Sequence, residues 1–258
     1  MDQRVLSSGI VLSDRYQLED LINESSGAST WLARDKMLDR RVGVQALPSD
    51  DRRAEGFAEA ARRSTGVTDP HFLRVLDIAE HEHGHTYLVR EWARALPLDL
   101  VLTQSTLTNR RSATVIAEVA EAIGNAHESG VFHRHLQPGC ILLKESGAVR
   151  ITGLAVDHAI RSPDPDPEHS DLQYAEQLDV QSIGKLLYAC LSGRWPGGGS
   201  GMLRKAPTEH GRLLRPRQVR AGVSRDVDTV CDRVLGTPPR HHETPLRSAR
   251  QIAHELRM

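Results

Sequence analysis

Apolar and polar residues alternate along five stretches in the first part of the chain, a pattern that predicts β-strands with one buried face. The predicted strands span residues 16–21, 29–34, 41–47, 72–78 and 86–91. An alanine-rich stretch at 50–64 predicts a helix between the third and fourth strands. The first part of the chain is therefore predicted to be an antiparallel sheet that carries one helix.

The pattern changes to a helical period beyond residue 92. In the stretch 109–129, apolar residues from Ile116 to Ile123 recur on one face, and the following glycine ends the helix. Further helices are predicted at 179–191, 221–235 and 246–257, and a short strand pair at 140–143 and 148–152. The prediction is an α+β protein with a β-rich lobe at 1–92 and a mainly helical lobe at 93–258.

The composition narrows the possible functions. The 258 residues carry a formal net charge of -1, which gives no bulk attraction to nucleic acid or to an anionic membrane. Three cysteines, Cys140, Cys190 and Cys231, lack the spacing of a metal site or a disulfide framework, so we expect buried thiols. No apolar run approaches the roughly 20 residues that a membrane-spanning helix needs. We expect no nucleic-acid partner, and a membrane tether only through a longer parent protein.

One stretch in the second part has a distinctive order of residues, VFHRHLQPGCILL. It resembles the catalytic loop of bacterial Hanks-type Ser/Thr protein kinases, and His133, Arg134 and Pro138 stand where that family has the same residues. The strand-forming residues that follow also match. The resemblance implies the two-lobed protein kinase-like fold for nearly the whole chain.

Five positions at which that family carries catalytic groups hold other residues here. His135 stands in place of the Asp that accepts the substrate proton, Gln137 in place of a Lys, and Cys140 in place of a magnesium-binding Asn. Gln45 replaces the phosphate-binding Lys, and Gly153 replaces the metal-binding Asp of Asp-Phe-Gly. Because phosphoryl transfer depends on these charges and ligands, the resemblance implies an inactive pseudokinase that holds no metal and no cofactor.

The positions that would contact a nucleotide are altered as well. The three loop glycines of the family correspond to Asn23, Ser25 and Ala28, and the nearby Gly27 falls one place off. Arg90 stands at the gatekeeper position before the hinge, where an apolar side chain is usual. A guanidinium facing an adenine pocket needs a partner or occupies the pocket itself.

We assign structural roles to His133, Arg134 and Asp179. Asp179 opens the predicted helix 179–191, where a carboxylate suits the helix N-terminus. The resemblance implies that Asp179 also holds the backbone of the catalytic loop, and that Arg134 has a structural or acidic partner. The stretch 162–168, with three alternating prolines, is expected to be extended.

Two other polar features are given surface roles. Glu59 is the nearest match to the helix Glu that pairs with the family's Lys, with Glu55 as the second candidate, and without that Lys we expect this Glu to face solvent. The alternating His81, His83 and His85 suggest a metal site, but no second ligand cluster follows, so a polar hairpin turn is favoured.

The loss of motifs and the helix DVQSIGKLLYACLSGRWP resemble, more closely, the pseudokinase domain of actinobacterial MviN, a MurJ-type lipid II flippase. That resemblance implies phosphorylation on threonine by a PknB-like Ser/Thr kinase, recruitment of a forkhead-associated domain protein, and control of peptidoglycan precursor export. It places the domain in the cytoplasm, at the inner face of the plasma membrane. The candidate acceptors are Thr244 and Thr237, and a tail beyond Met258 is the alternative.

Two other functions stay open. A residual nucleotide-binding protein or weakly active atypical Ser/Thr kinase is favoured by Gly27 and opposed by Arg90 and Gln45. The second function is that of a membrane-facing surface. A cluster of arginines interleaved with apolar residues could bind acidic lipid headgroups, although a solvated loop is the simpler interpretation. The arginines are Arg212, Arg215, Arg217 and Arg220.

Overall fold

The structure is a computed structural model that describes residues 5–81, 84–161, 172–197, 202–240 and 243–258. The described residues form two compact units. The first takes those within Met1–Thr68, Leu73–Arg94 and Leu154–Ser170, and the second those within Asp69–Phe72, Ala95–Gly153 and Asp171–Met258. The predicted lobes divide the chain once, at residue 92, whereas these units interleave along it.

The five long strands and α1 come first, as predicted, and the other helices follow with short strands of two or three residues among them. The strands are β1 (Val11–Leu12), β2 (Tyr16–Ser25), β3 (Ala28–Asp35), β4 (Arg40–Pro48), β5 (Val75–His81), β6 (His85–Glu91), β7 (Leu96–Pro97), β8 (Ile141–Leu143), β9 (Val149–Ile151), β10 (Arg194–Trp195), β11 (Arg204–Lys205), β12 (Thr208–Glu209) and β13 (Arg212–Leu213). The helices are α1 (Ala54–Ser64), α2 (Leu98–Gln104), α3 (Asn109–Glu128), α4 (Val156–Arg161), α5 (Leu172–Ser192), α6 (Pro216–Val219), α7 (Arg225–Leu235) and α8 (Ala249–Arg257).

The first unit is built on a six-stranded sheet in the order β1-β2-β3-β4-β6-β5, with antiparallel neighbours throughout. One face of the sheet forms an apolar core that includes Tyr16, Val44 and Tyr87. The five predicted strands are present. The strand predicted at 72–78 begins later, at Val75, because Asp69 accepts the His71 N–H at 2.8 Å and turns the chain there.

The hairpin between β2 and β3 closes in a two-residue turn. Only Ser26 and Gly27 connect the strands, with φ angles of 53° and 75°. Two positive φ values in a two-residue turn give the type I′ geometry that fits the twist of paired strands. Ser25 and Ala28 are paired directly beside the turn. The positions that resemble the family's glycine loop therefore form the closed end of a hairpin.

A buried carboxylate organises the next hairpin. Asp35 is fully buried and accepts two hydrogen bonds of 2.8 Å from the Arg15 guanidinium. It also accepts the backbone N–H groups of Met37 and Leu38, which fixes the turn between β3 and β4. The bond from Arg15 lowers the pKa of Asp35 to about 2, so the carboxylate stays ionised at neutral pH.

The other face of the sheet is covered by α1 and α4. A second apolar cluster joins Phe57 and the alanines of α1 to Leu47 and Leu88 of the sheet. Val156 and Ile160 of α4 belong to the same cluster, as does Ala28 beside the β2–β3 turn. Helix α4 was not predicted. Its apolar residues at i, i+3 and i+4, in VDHAIR, are the local signal for it.

The second unit is helical, with α5 at its centre. Helix α5 has buried residues along its C-terminal half, and α3 and α7 pack against it. Helix α8 lies on α3, where Arg250 binds Glu128 and Arg257 binds Glu121. A small sheet, β7-β8-β9, includes β8, the strand that directly follows the kinase-like loop. Among the described residues, no helix combines the length and apolarity needed to cross a membrane.

Four predicted helix starts were wrong, and the first is that of α1, which begins at Ala54 rather than at residue 50. Helix α5 was predicted to begin at residue 179, but it already includes Leu172. The residues LQYAEQL are good helix formers and extend the helix toward its N-terminus. Helix α7 begins at Arg225 after Ser224, not at residue 221. Helix α8 begins at Ala249 rather than 246, because the Ser248 side chain caps it by accepting the Gln251 N–H at 3.2 Å.

The contact between α5 and α7 gives a test of the packing. A Cβ atom at Gly184 would lie 2.5 Å from Val234 Cγ1, whereas one at Gly124 in α3 would meet only the flexible Arg250 side chain, at 3.2 Å. We predict that Gly184→Ala lowers the free energy of unfolding by about 1–2 kcal/mol, because overpacking outweighs the gain in helix propensity. The control, Gly124→Ala, is expected to stay within about 1 kcal/mol of the wild type. Chemical denaturation measures both, and equal effects would contradict the packing.

Candidate active site

The loop that resembles a kinase catalytic loop is anchored by Asp179. The Asp179 carboxylate is fully buried and accepts the His133 N–H at 2.8 Å and the Arg134 N–H at 2.6 Å. His127 Nε2 lies 3.0 Å from the same carboxylate. The prediction that Asp179 opens a helix was wrong, since it lies within α5, yet its side chain makes the backbone contacts that the resemblance implies.

One side chain and one strained backbone position complete this anchor. His133 is fully buried, and its Nε2 lies 3.0 Å from the Thr152 carbonyl, so an N–H at Nε2 donates to that oxygen. Arg134 has a φ angle of 58°, a left-handed conformation that costs a residue with a side chain about 1 kcal/mol. The two backbone hydrogen bonds to Asp179 hold His133 in place and keep Arg134 in its left-handed conformation.

His135 and Gln137, at the positions of the base and the Lys, contact each other. The Gln137 side-chain nitrogen lies 2.8 Å from His135 Nε2. An amide nitrogen can only donate, so the His135 Nε2 lone pair accepts this bond. The atom that would have to take a proton from a substrate hydroxyl is therefore engaged within the loop.

Cys140 and Gly153, at the positions of the metal ligands, offer no side-chain oxygen. Cys140 is buried, and its Sγ lies 3.5 Å from the His135 carbonyl oxygen, to which the thiol donates. Gly153 has a φ angle of 85°, and Ala155, two residues on, has 61°. The turn after β9 thus has two residues with positive φ angles, and both residues are small. Magnesium prefers oxygen ligands, so these two residues do not fit the ion.

Gln45, in β4 of the first unit, is buried without a charge. Its side-chain Oε1 has no hydrogen-bond partner among the described residues. Two residues along the strand, a Cβ atom at Gly43 would lie 3.3 Å from Arg90 Cγ and 3.6 Å from the Trp92 ring. The side chains of Arg90, at the gatekeeper position, and of Trp92 therefore cover β4 at Gly43.

The β2–β3 turn is tied to the rest of the first unit by Arg53. The Arg53 guanidinium donates to Asp51 at 2.8 and 2.6 Å, to the Ser26 carbonyl at 2.7 Å, and to the Ile160 carbonyl. Four of its five N–H donors are used in these bonds. Arg161 Nη1 also lies 3.5 Å from Ser25 Oγ. Arg53 and Arg161 thus connect the turn to α1 and α4, and their guanidinium groups are used in these contacts.

Glu59 faces solvent, as predicted from the missing Lys. Its side chain is exposed and forms an ion pair of 3.5 Å with Arg62, one turn along α1. The buried face of α1 consists of Phe57 and alanines, which contact α4. In the first unit, the Lys–Glu ion pair of the kinase family is replaced by a solvent-facing Glu and a neutral Gln45.

The remaining candidates lie elsewhere in the chain. Thr237 and Thr244 are both exposed, and the Thr244 carbonyl accepts the Arg233 Nε–H at 2.8 Å. His81 and His85 pair across the β5–β6 hairpin. His83 and the proline-rich stretch 162–168 lie outside the described residues.

The arginine cluster is only partly available to a membrane surface. Arg215 lies 3.3 Å from the buried Asp228 carboxylate. Arg220 donates to the Leu191 carbonyl at 2.9 Å. The cations left at the surface are Arg212 and Arg217, whose side chains make no ion pair among the described residues. Two exposed arginines are a weak lipid-binding surface, which favours the simpler interpretation.

Several known proteins are similar to this chain. A family model described as protein tyrosine and serine/threonine kinase matches residues 28–177. The serine/threonine-protein kinase PknB of Mycobacterium tuberculosis is 28% identical over an alignment of 255 residues, covering 88% of this chain and 40% of PknB. PknA from the same organism is 30% identical over 221 residues, 77% of this chain and 51% of PknA. The chain thus spans about half or less of these relatives.

A solved structure shares the fold. The crystal structure of Rad53 1-466 in complex with AMP-PNP matches with a TM-score of 0.70 at 17% sequence identity, over 93% of this chain and 64% of that one. The match and the family model confirm the predicted α+β fold, with a β-sheet lobe and a helical lobe.

The Asp179 anchor gives a test that does not depend on activity. We predict that Asp179→Asn lowers the free energy of unfolding by about 2–3 kcal/mol, because one buried acceptor becomes a donor that faces N–H groups. Asp226 is an exposed acid in the first turn of α7, and Asp226→Asn is expected to cost less than about 1 kcal/mol. Urea denaturation compares the two variants. Equal losses would mean that Asp179 does not anchor the loop.

Proposed function

The chain belongs to the protein tyrosine and serine/threonine kinase family, and from that premise we propose that it is a pseudokinase, a catalytically inactive member that acts as a phosphorylation-dependent scaffold. A family member can lose catalysis and keep its fold, because the packing groups and the reacting groups are different residues. Here Asp179 and His133 are packing groups, whereas His135, Cys140 and Gly153 stand at reacting positions.

The observation that carries this proposal is the contact between His135 and Gln137. Of the altered positions, His135 has the one side chain that is a common general base, and its Nε2 accepts the Gln137 amide at 2.8 Å. A base must reach the proton that it abstracts through a free lone pair. The engaged Nε2 leaves the loop without the base that the family uses.

Charge stabilisation is missing together with the base. Phosphoryl transfer in kinases relies on positioning and on cations that neutralise the developing charge. Gln45 brings no charge to the Lys position, and Cys140 and Gly153 bring no oxygen to the metal. A single loss can be compensated by a neighbour, but these losses affect every part of the reaction at once.

For the finer function, we propose that the domain is the cytoplasmic regulatory part of a MviN/MurJ-type peptidoglycan precursor flippase. The loss of several kinase motifs and the helix from Asp179 to Leu191 support this assignment. In it, a PknB-like Ser/Thr kinase phosphorylates a threonine, and a forkhead-associated domain protein binds the phosphothreonine. The parent protein tethers the domain to the inner face of the plasma membrane.

Thr237 and Thr244 are the proposed acceptors within this chain. Both are exposed, so a kinase can reach their hydroxyl groups. A phosphothreonine brings close to two negative charges and strong acceptor oxygens, which suits the arginine-containing pocket of a phosphopeptide-binding domain. Thr208 in β12 is exposed too and serves as a matched control.

The proposal is tested by phosphorylating the chain with the PknB kinase domain and mapping the sites by mass spectrometry. We expect phosphothreonine and forkhead-associated domain binding in the wild type and in Thr208→Ala, and loss of both in the double variant Thr237→Ala/Thr244→Ala. Binding that persists in the double variant, or that needs no phosphorylation, would contradict the assignment.

A parallel incubation without PknB tests the alternative function, a weakly active atypical kinase. The chain alone, with ATP and magnesium, is expected to incorporate no phosphate into itself or into a generic acceptor such as myelin basic protein. Incorporation above the level of a heat-denatured sample would instead support a weakly active atypical kinase.

A further inference from the structure

A cavity lies in the second unit, apart from all the positions of the kinase motifs. Its volume is about 240 Å³. Its wall is formed by Tyr188 of α5, by the end of α7 with the residues after it, and by the β12–β13 hairpin with the start of α6. These elements belong to one compact unit, so the cavity is a property of that unit.

Positive charge dominates the polar part of the wall. Arg212, Arg215 and Arg240 line the cavity, against the single carboxylate of Asp232. Asp232 is already engaged, since its Oδ2 accepts the Arg240 backbone N–H at 2.7 Å. Arg215 lies 3.3 Å from the buried Asp228. Within the part of the chain that the structure describes, the guanidinium groups of Arg212 and Arg240 have no acceptor.

The rest of the wall is apolar or neutral. Leu213, Leu235 and Cys231 contribute apolar surface. Burial raises the pKa of the Cys231 thiol well above its usual value, so the thiol stays neutral and does not repel an anion. The Tyr188 hydroxyl donates to the Leu214 carbonyl at 2.9 Å, so the polar group of this buried wall residue already has an acceptor.

From this arrangement we propose that the cavity binds a small organic anion, a phosphate monoester with one apolar group. Arginine binds phosphate through paired N–H donors, and those of Arg212 and Arg240 have no acceptor among the described residues. The apolar side chains of Leu213 and Leu235 then contact the organic group, whose burial adds to the affinity. The site uses none of the altered kinase-motif positions, and Thr237, one of the two proposed phosphoacceptors, lies in its wall.

Phenyl phosphate is a suitable probe, with inorganic phosphate and phenol as the two halves of the same ligand. Ligand-observed NMR titrations at constant ionic strength give the three dissociation constants. We expect phenyl phosphate to bind at least about tenfold more tightly than either half, because each half engages only one part of the wall. Equal affinity for inorganic phosphate, or no binding of phenyl phosphate, would overturn the proposal.

Variants locate the binding to the cavity. The double variant Arg212→Ser/Arg240→Ser is expected to weaken phenyl phosphate binding at least about tenfold, because two charge-assisted contacts are lost. Arg217 is exposed and does not line the cavity, so Arg217→Ser is the matched control and is expected to bind like the wild type. An equal loss in Arg217→Ser would mean that only general surface charge is involved. If the double variant melts early, each single substitution gives the same comparison.

Discussion

A buried carboxylate is the constraint on which the kinase-like loop depends. Asp179 has no solvent contact, and an isolated buried charge would be costly. The backbone N–H groups of His133 and Arg134 and the ring of His127 supply its compensation. The same bonds hold Arg134 in a left-handed conformation. Removing the carboxylate would release the loop, whereas changing His135 or Cys140 leaves the anchor intact. This difference explains how the loop can keep its shape with His135 and Cys140 at the positions where the family has other residues.

In the first unit, apolar packing takes the place of an ion pair. An active kinase uses a Lys–Glu pair to fix its helix against the sheet. Here the inner face of α1 presents Phe57 and alanines to α4, and Glu59 points outward. Arg53 adds polar bonds from α1 to the β2–β3 turn and to the end of α4. In this unit, α1 is therefore held by apolar packing and by the bonds of Arg53 rather than by an ion pair of Glu59 with the sheet.

The sequence predicted the features that depend on local patterns. Alternation located the strands, and the helical period located α3 within one residue, because both signals lie within the element itself. The start of α5 was missed, since Asp179 has the chemistry of a helix cap while the preceding residues are good helix formers. The Arg53 bond to Ile160 joins residues 107 positions apart, and no local pattern predicts such a contact. The His135–Gln137 contact was also missed, although both residues had been identified individually.

The central claim is that the chain has lost the ability to bind a metal–nucleotide complex, and a thermal-shift titration tests it most directly. A ligand that binds only the folded state at one hundred times its dissociation constant stabilises that state by about 2.7 kcal/mol, which raises the melting midpoint measurably. With millimolar ATP and magnesium, we predict no rise for this chain and a clear rise for the PknB kinase domain measured beside it. A magnesium-dependent rise for this chain would contradict the account.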